Sequence, residues 1–244
     1  MEIRICKTST SNEKIEKPDD WTEPMSEKHL QEGRSAKLLA RFALSESFGD
    51  AINKILNDYG LSTNGSFKCI PECKSSLGKG MGRGGSRNHD ALLIGDNCVV
   101  GIEAKVSESF DICIRDKSKR QGEDKNGMTR ADKLSQFLCG DNDVSNIGYQ
   151  LFAATYGTMK AAIDEGRENC VMLVVVFNGN VKKERNYCVK IKKNEDDFDN
   201  FKQSLQDIEN DCITREIDGK RIKCWIKKVI VTVQDDNSFV VIWP

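Results

Sequence analysis

The sequence predicts an α/β fold in which helices flank a central mixed sheet. Three observations favour this fold class. Apolar residues recur at helical spacing after Ser26 and after Ser145. The run CVMLVVVF at Cys170–Phe177 is continuously apolar and rich in valine, as in a strand that is buried on both faces. Between the two helical regions, two short apolar runs flank Asp96-Asn97, which is typical of a β-hairpin.

The composition is that of a protein with one substantial hydrophobic core. The 244 residues suffice for one domain over residues 1–244, in which residues 178–244 extend the core. The formal net charge is −1, so any surface that binds phosphate groups must be local. Without a membrane-length apolar run or a signal-peptide core, we expect a cytoplasmic protein that contacts no membrane. The ten cysteines form no C-x-x-C pair and are expected to be reduced.

The individual elements follow from apolar spacing and from residues that begin or end helices. Serine caps helix N-termini, and glycine often ends a helix. In chain order, the predicted elements are strand Ile3–Cys6, a helix from Ser26 to near Gly49, helix Asp50–Asp58, strand Phe67–Ile70, hairpin strands Ala91–Ile94 and Cys98–Val106, helix Thr129–Cys139, helix Asn146–Glu165, strand Cys170–Phe177, strand Tyr187–Ile191, helix Asp196–Asn210, and strands Ile222–Val233 and Ser238–Trp243. This order contains α-β-β-β-α-β, followed by extra C-terminal strands.

Two charged segments are predicted to lie outside these elements. Residues Gly78–Gly85 read GKGMGRGG, and basic residues surround them. A basic loop of this kind could wrap a phosphate backbone, with Arg83 and Arg87 as candidate substrate contacts, or it could be a plain linker. The stretch Asp111–Gly127 is dense in charge and is interpreted as an exposed excursion, either a substrate-contacting flap or a solvated loop.

The predicted hairpin places three charged residues on one surface. With Asp96-Asn97 as a two-residue turn, Asp90 faces Glu103 across the hairpin. Directly opposed residues of an antiparallel pair point to the same side, and Lys105 lies two residues beyond Glu103 on that side. Two adjacent carboxylates repel each other unless a cation lies between them. Oxygen ligands without histidine or thiolate favour Mg²⁺ or Mn²⁺, and the lysine could hold a water or a phosphate beside that ion.

This arrangement resembles the PD-(D/E)-x-K nuclease superfamily, whose fold is that of type II restriction endonucleases. The segments GIEAKVSESF and GYQLFAATYGTMKAA further resemble an uncharacterised bacterial branch of it, and the resemblance spans roughly Gln31 to Leu205. His89 stands where the proline often lies. The resemblance implies a restriction endonuclease-like core and the following site: Asp90, Glu103 and the Ala104 backbone carbonyl as metal ligands, Lys105 and Gln150 as catalytic residues, Glu32 or alternatively Glu46 in the metal's outer shell, and Glu108 as a further polar member.

The expected function is therefore Mg²⁺- or Mn²⁺-dependent hydrolysis of phosphodiester bonds in DNA. The expected partner is a nucleic acid, DNA before RNA, and a homodimer is left open. Three alternatives remain at this point. Glu103 and Lys105 could form a salt bridge on an exposed sheet face. The protein could bind nucleic acid or regulate another process on the same fold without hydrolysis. It could also be a protein-interaction module that uses the acidic cluster differently.

Overall fold

In the computed structural model of the chain, helices flank one mixed sheet, and the predicted α/β fold class is confirmed. The structure describes residues 2–8, 10, 13–22, 34–61, 65–78, 81, 85–124, 126–181, 186–236 and 238–243. The strands are β1 (Glu2–Ile5), β2 (Ser66–Pro71), β3 (Lys74–Ser76), β4 (Ser86–Asn88), β5 (Ala91–Ile94), β6 (Val99–Lys105), β7 (Asn169–Gly179), β8 (Cys212–Ile217), β9 (Lys220–Val233) and β10 (Phe239–Ile242). The α-helices are α1 (Ser35–Ala43), α2 (Glu46–Asp58), α3 (Ile114–Arg120), α4 (Arg130–Cys139), α5 (Tyr149–Asp164) and α6 (Tyr187–Ser204).

The main sheet has the strand order β1-β2-β5-β6-β7-β9-β10, and β8 pairs with β9. The pairs β2–β5 and β5–β6 are antiparallel, whereas β6–β7 and β7–β9 are parallel. The long α5 connects β6 to β7 because parallel neighbours need a crossover. Strands β3 and β4 form a separate two-stranded sheet. Strand β6 therefore lies near the centre of the main sheet, and all seven of its residues are buried.

Two hydrophobic cores cover the two faces of this sheet, and β7 contributes to both by alternation. Its residues Cys170, Met172 and Val174 belong to the core that contains α5. Val171 and Leu173 belong to the core that contains α1 and α2. A strand covered on both faces has no polar side, which explains the continuous apolar run in the sequence.

The region after β7 departs from the predicted structure. The segment Tyr187–Ile191 was predicted as a strand, and this is wrong because it forms the first turns of α6. Its apolar residues do not share one buried face of a strand: Val189 is 70% exposed, while Tyr187 and Ile191 pack partly against different hydrophobic cores. Further along, α6 buries Asn194, Asp197, Phe198 and Phe201, a spacing of three, one and three residues that one helical face presents.

The N-terminal helices also differ from the prediction. The first helix ends at Ala43 rather than near Gly49, and Gly49 lies inside α2. Ser45 breaks the helix because its backbone N–H and its Oγ both donate to Phe42 O, at 2.9 and 2.6 Å. The predicted cap Ser26 lies outside the described residues.

Five described elements have no counterpart in the prediction: α3, β8, β3, β4 and a short 3-10 helix at Pro18–Thr22. Helix α3 occupies part of the charged stretch that was interpreted as a loop, and its first residue, Ile114, is buried in the core. The predicted helix after Thr129 is confirmed, with reciprocal capping bonds between Thr129 and Asp132. None of the described helices combines the length and apolar character needed to cross a lipid bilayer.

Candidate active site

The β5–β6 hairpin has the predicted register. Leu93 lies opposite Val100, and the same pairing continues to Ala91 and Ile102. Just before the first residue of β5, the Asp90 N–H donates to Ile102 O at 3.1 Å, and the Asp90 Oδ2 accepts from the Ala104 N–H at 2.7 Å. The carboxyl group of Asp90 therefore lies beside the Glu103–Ala104 part of β6, close enough for the charge of Glu103 to act on it.

Asp90 receives a backbone hydrogen bond but no counter-ion. The N–H of Ala104 donates to its Oδ2 at 2.7 Å. Within the described part of the chain, no lysine or arginine forms an ion pair with Asp90. Burial and the neighbouring charge of Glu103 raise the pKa of Asp90 to about 7, against the opposing charge of Lys105. Asp90 is consequently a buried carboxyl group that forms no direct ion pair among the described residues, although the charges of Lys105 and Arg87 act on it.

Glu103 lies almost wholly inside the protein and has two cationic neighbours. It is 1% exposed, and its Oε1 lies 2.7 Å from Lys105 Nζ. Its Oε2 forms an ion pair with the Arg87 guanidinium, which comes from β4 in the small sheet. The alternative of a salt bridge on an exposed sheet face is therefore wrong, because Glu103 and Lys105 are both buried.

Lys105 is held between the hairpin and α5. Its Nζ donates to Gln150 Oε1 at 2.8 Å and lies 5.5 Å from the centre of the Phe110 ring. Burial alone would lower the pKa of Lys105, but the charges of Glu103 and Asp90 outweigh burial and raise it. The ammonium thus stays charged at neutral pH and can act as a donor.

The segment that follows β6 fixes the start of α5 beside Lys105. The Gln150 N–H donates to Phe110 O at 3.1 Å, and the Tyr149 N–H donates to Ile112 O at 3.0 Å. Gly148 makes this approach possible, since a Cβ there would lie 2.5 Å from Phe110 O and overlap it. These contacts bring Gln150 to the ammonium from 45 residues further along the chain.

Glu108 is close to the site, but its oxygens are bonded within the protein. Oε2 accepts from the N–H groups of Val106 and Ser107 at 2.8 and 3.2 Å. Oε1 accepts from the Ser35 hydroxyl at 3.2 Å, which links the end of β6 to the start of α1. Although burial opposes ionisation, these donors and the charge of Lys105 lower the pKa of Glu108. The bonds indicate that Glu108 positions the strand end, and a contact of Glu108 with substrate stays a prediction.

Sequence reasoning missed two further groups at this end of the hairpin, Glu72 and His89. The Glu72 N–H donates to Asp90 O at 3.1 Å, and burial together with Asp90 and Glu103 raises the pKa of Glu72 to about 8. His89 is 1% exposed, and its Nε2 lies 2.8 Å from Ser75 Oγ. No sequence signal marks Glu72, because it follows the end of β2 and belongs to no periodic pattern. Its backbone is left-handed, with a φ of 46°.

Three residues that were predicted to surround the metal or to contact the substrate are not among the described residues at the hairpin site. Glu32 and Arg83 lie outside the described residues. Glu46, the alternative to Glu32, is exposed at the start of α2 and lines a cavity beside β1 with none of the residues at the hairpin site.

A cleft of about 550 Å³ opens beside the site between β4, the α3–α4 region and the first turn of α5. Arg87 and Gln150 line it, so it borders the groups that contact Glu103 and Lys105. Lys117 and Arg130 add two more cations, and Asp111 adds the one carboxylate of the lining. The volume is that of a typical small-ligand site and can accommodate a nucleotide unit.

The chemistry of the donors partly fits a divalent ion. Mg²⁺ is commonly bound by one or two carboxylates together with waters and substrate phosphates. Asp90 and Glu103 supply two carboxylates on one side of the hairpin, and Asp90 has no counter-ion among the described residues. The described residues contain no group of three or more acidic, histidine or cysteine side chains that could enclose an ion. The residues therefore fit an open site, in which Asp90, Glu103 and the Ala104 carbonyl would hold the ion.

Comparison with known families gives one match. Residues 14–236 match the family described as "Domain of unknown function (DUF6946)", and because the match covers most of the chain, the chain belongs to that family. No curated protein and no solved structure matches it.

Proposed function

We propose that this family member is a divalent-ion-dependent nuclease that hydrolyses phosphodiester bonds of DNA at the β5–β6 hairpin. One observation carries the proposal: the buried carboxyl groups of Asp90 and Glu103 lie close together on the hairpin, and Lys105 lies beside Glu103 and donates to Gln150. Such a constellation on adjacent strands serves metal-assisted hydrolysis, in which carboxylates bind the ion and a cation contacts the phosphate or the attacking water.

When bound, Mg²⁺ or Mn²⁺ supplies Lewis-acid polarisation of the phosphate and lowers the pKa of a bound water. The protein contributes the rest. Because its pKa is raised, Lys105 remains protonated and donates to an oxygen of the water or the phosphate rather than accepting a proton. Gln150 accepts one ammonium hydrogen and so fixes the direction of the others.

The cleft supports a polyanionic substrate. Its described lining includes three cations, Arg87, Lys117 and Arg130, and one carboxylate, Asp111, which pairs with Lys117 at 2.6 Å, while Arg87 pairs with the buried Glu103. The described lining residues thus carry more positive than negative charge, in contrast to the net charge of −1 for the whole chain. A nucleic-acid backbone entering the cleft would therefore be attracted to the side of the protein that bears Lys105.

The test is a cleavage assay over single-stranded, double-stranded and branched DNA and over RNA, with Mg²⁺, Mn²⁺ or EDTA. We expect cleavage of at least one DNA form with a divalent ion and none with EDTA. Absence of cleavage of every form with both ions would reject the enzymatic proposal, and cleavage of RNA alone would reject DNA as the substrate.

A second function, binding of nucleic acid without hydrolysis, is favoured by the Arg87–Glu103 pair. Two cations already neutralise the Glu103 carboxylate, as in a purely structural ion network. A protein of this kind would bind oligonucleotides equally with and without divalent ions. A gain in oligonucleotide affinity with Ca²⁺, which replaces Mg²⁺ without supporting cleavage in many such sites, would count against it.

A further inference from the structure

Arg87 is the one residue that contacts both the proposed metal ligand and the cleft. Its guanidinium forms an ion pair with the 1%-exposed Glu103, and its side chain lines the cleft. The contact is incomplete, because Arg87 Nε is buried without a hydrogen-bond partner among the described residues. Arg87 is therefore attached to Glu103 by part of its guanidinium, and a donor remains for another acceptor.

The two partners of this ion pair are held differently. Strand β4 has three residues and, among the described strands, pairs with β3 outside the main sheet. Glu103, in contrast, lies on the central strand β6, which is paired on both sides. The Cβ and Cγ atoms of Arg87 pack close to Gly157 of α5, so a movement of Arg87 away from Glu103 would involve the outer part of its side chain, which bears the guanidinium.

The charge of the Glu103 carboxylate limits how many cations can be its partners, so Arg87 and a divalent ion compete for it. Lys105 and Arg87 together already offset the charge of Glu103, while Asp90 forms no direct ion pair with a cation in the part of the chain that the structure describes. A divalent ion shared by Asp90 and Glu103 would experience the repulsion of the guanidinium at the same carboxylate. Both cations cannot favourably occupy Glu103 Oε2 at the same time.

We propose that Arg87 is an exchangeable counter-ion, which neutralises Glu103 in the ion-free protein and transfers to a phosphate of the substrate when the divalent ion takes its place. The inference rests on the proposed function and assigns to Arg87 both the competition with the metal and the contact with the substrate. The guanidinium would not have to enter another part of the protein to reach a phosphate, because Arg87 already lines the cleft. An arginine fork matches a phosphate with two parallel hydrogen bonds.

The test measures Mn²⁺ affinity by the electron paramagnetic resonance signal of the free ion, without substrate. Arg87→Met removes the competing charge and keeps much of the side-chain length, so Mn²⁺ should bind at least about tenfold more tightly than in the parent. Arg167→Met is the matched control. Arg167 also bonds the hairpin, through Gly95 O at 2.8 Å, but at the turn end away from Glu103, and Mn²⁺ affinity should change by less than about twofold.

The second measurement uses a DNA oligonucleotide with Ca²⁺ and fluorescence anisotropy. Arg87→Met should weaken oligonucleotide binding by about tenfold, the usual effect of losing one charged phosphate contact, while Arg167→Met should not. If Arg87→Met does not fold, as judged by circular dichroism, Arg87→Lys replaces it, and its Mn²⁺ affinity should rise by a smaller factor because the fork is lost.

The outcomes separate this inference from the proposed function. Mn²⁺ binding by the parent that is unchanged or weaker in both Arg87 variants would overturn the exchange and leave the metal site standing. If neither the parent nor the Arg87 variants bind Mn²⁺, the proposed function fails and the exchange fails with it. Tighter Mn²⁺ binding together with unchanged oligonucleotide binding would overturn the transfer to phosphate.

Discussion

At the scale of single residues, the hairpin end combines ionisable groups whose environments differ strongly. Burial raises the pKa values of Asp90 and Glu72, whereas the charges of Glu103 and Asp90 raise the pKa of Lys105 against the effect of burial. His89 is buried and remains neutral beside Ser75. Since burial and close charges act in one small volume, each residue should have a distinguishable effect when it is replaced.

Lys105→Met should separate metal binding from turnover. Methionine keeps the length and the packing on Phe110 but removes the donor, so cleavage should fall by roughly 10²-fold or more. Mn²⁺ binding should be retained or become tighter, because a cation beside Glu103 is removed and no proposed metal ligand is lost. Cleavage rates and Mn²⁺ titrations on the same preparations check this. Equal cleavage by Lys105→Met and the parent would remove Lys105 from the catalytic group.

His89 should contribute an acid sensitivity to the ion-free protein. Burial and the neighbouring Arg87 lower the pKa of His89 from 6.5 to about 3, so between these values the unfolded chain binds a proton that the folded chain does not. The His89 contribution to the free energy of unfolding should therefore fall by about 2 kcal/mol between pH 7 and 5. The raised pKa values of Asp90 and Glu72 act in the opposite direction, so the contribution of His89 is the difference between the parent and a variant that does not titrate at this position.

Denaturant unfolding of the parent and of His89→Gln at both pH values tests this expectation. Glutamine can still bond Ser75 but does not titrate, so the variant should lose this part of the pH dependence. If the free energy of unfolding changes identically between pH 7 and 5 in both proteins, groups other than His89 cause the pH dependence.

At the scale of elements, the packing of α5 on β6 positions Gln150 beside Lys105. Gly101 permits this packing, because a Cβ at that position would overlap the buried Thr158 Oγ1. Gly157 has a similar role on the helix side, where a Cβ would lie 3.1 Å from Arg87 Cγ and 3.2 Å from His89 Nε2. Two glycines, one on each element, thus set the depth at which the helix meets the site.

Gly101→Ala should destabilise the protein by about 1–3 kcal/mol, since an extra methyl group in a packed core forces a shift of the helix or the strand. Combination with Thr158→Ala removes the overlapping hydroxyl and should recover much of the loss. Gly49→Ala is the control, because Gly49 lies within α2 with open space around its Cβ position, and stability should rise by about 0.5–1 kcal/mol. Chemical denaturation of the four proteins checks the series, and full stability of Gly101→Ala alone would contradict it.

The elements also show how far the sequence could predict the structure. The hairpin register followed from one turn and a period-two pattern, both of which are local, and Asp90, Glu103 and Lys105 were found on that basis. Tyr187–Ile191 was misread because five residues with alternating apolar character fit a strand, while the helical spacing of Asn194 to Phe201 becomes visible only over a longer window. The partnership of Arg87 with Glu103 was beyond prediction, because it depends on where a separate two-stranded sheet packs.

At the scale of the whole molecule, the site lies where the two halves of the main sheet meet. Strands β2 and β5 pair antiparallel on one side of β6, and β7 and β9 continue parallel on the other. The two cores cover both faces of the sheet at this point. Repulsion between the carboxylates of Asp90 and Glu103 should therefore lower the stability of the whole fold. Binding of a divalent ion to the folded state should therefore raise the melting temperature, by an amount set by its concentration relative to its dissociation constant.

The most direct measurement pairs the Mn²⁺-induced thermal shift with DNA cleavage for the parent, Glu103→Gln and Glu108→Gln. Glutamine removes one negative charge with little change in shape. We expect the parent to be stabilised by Mn²⁺ and to cleave, Glu103→Gln to fold but to lose both responses, and Glu108→Gln to retain the Mn²⁺ response because its carboxylate serves backbone donors. If Glu103→Gln is stabilised by Mn²⁺ and cleaves as the parent does, Glu103 is not a metal ligand and the proposed active site is wrong.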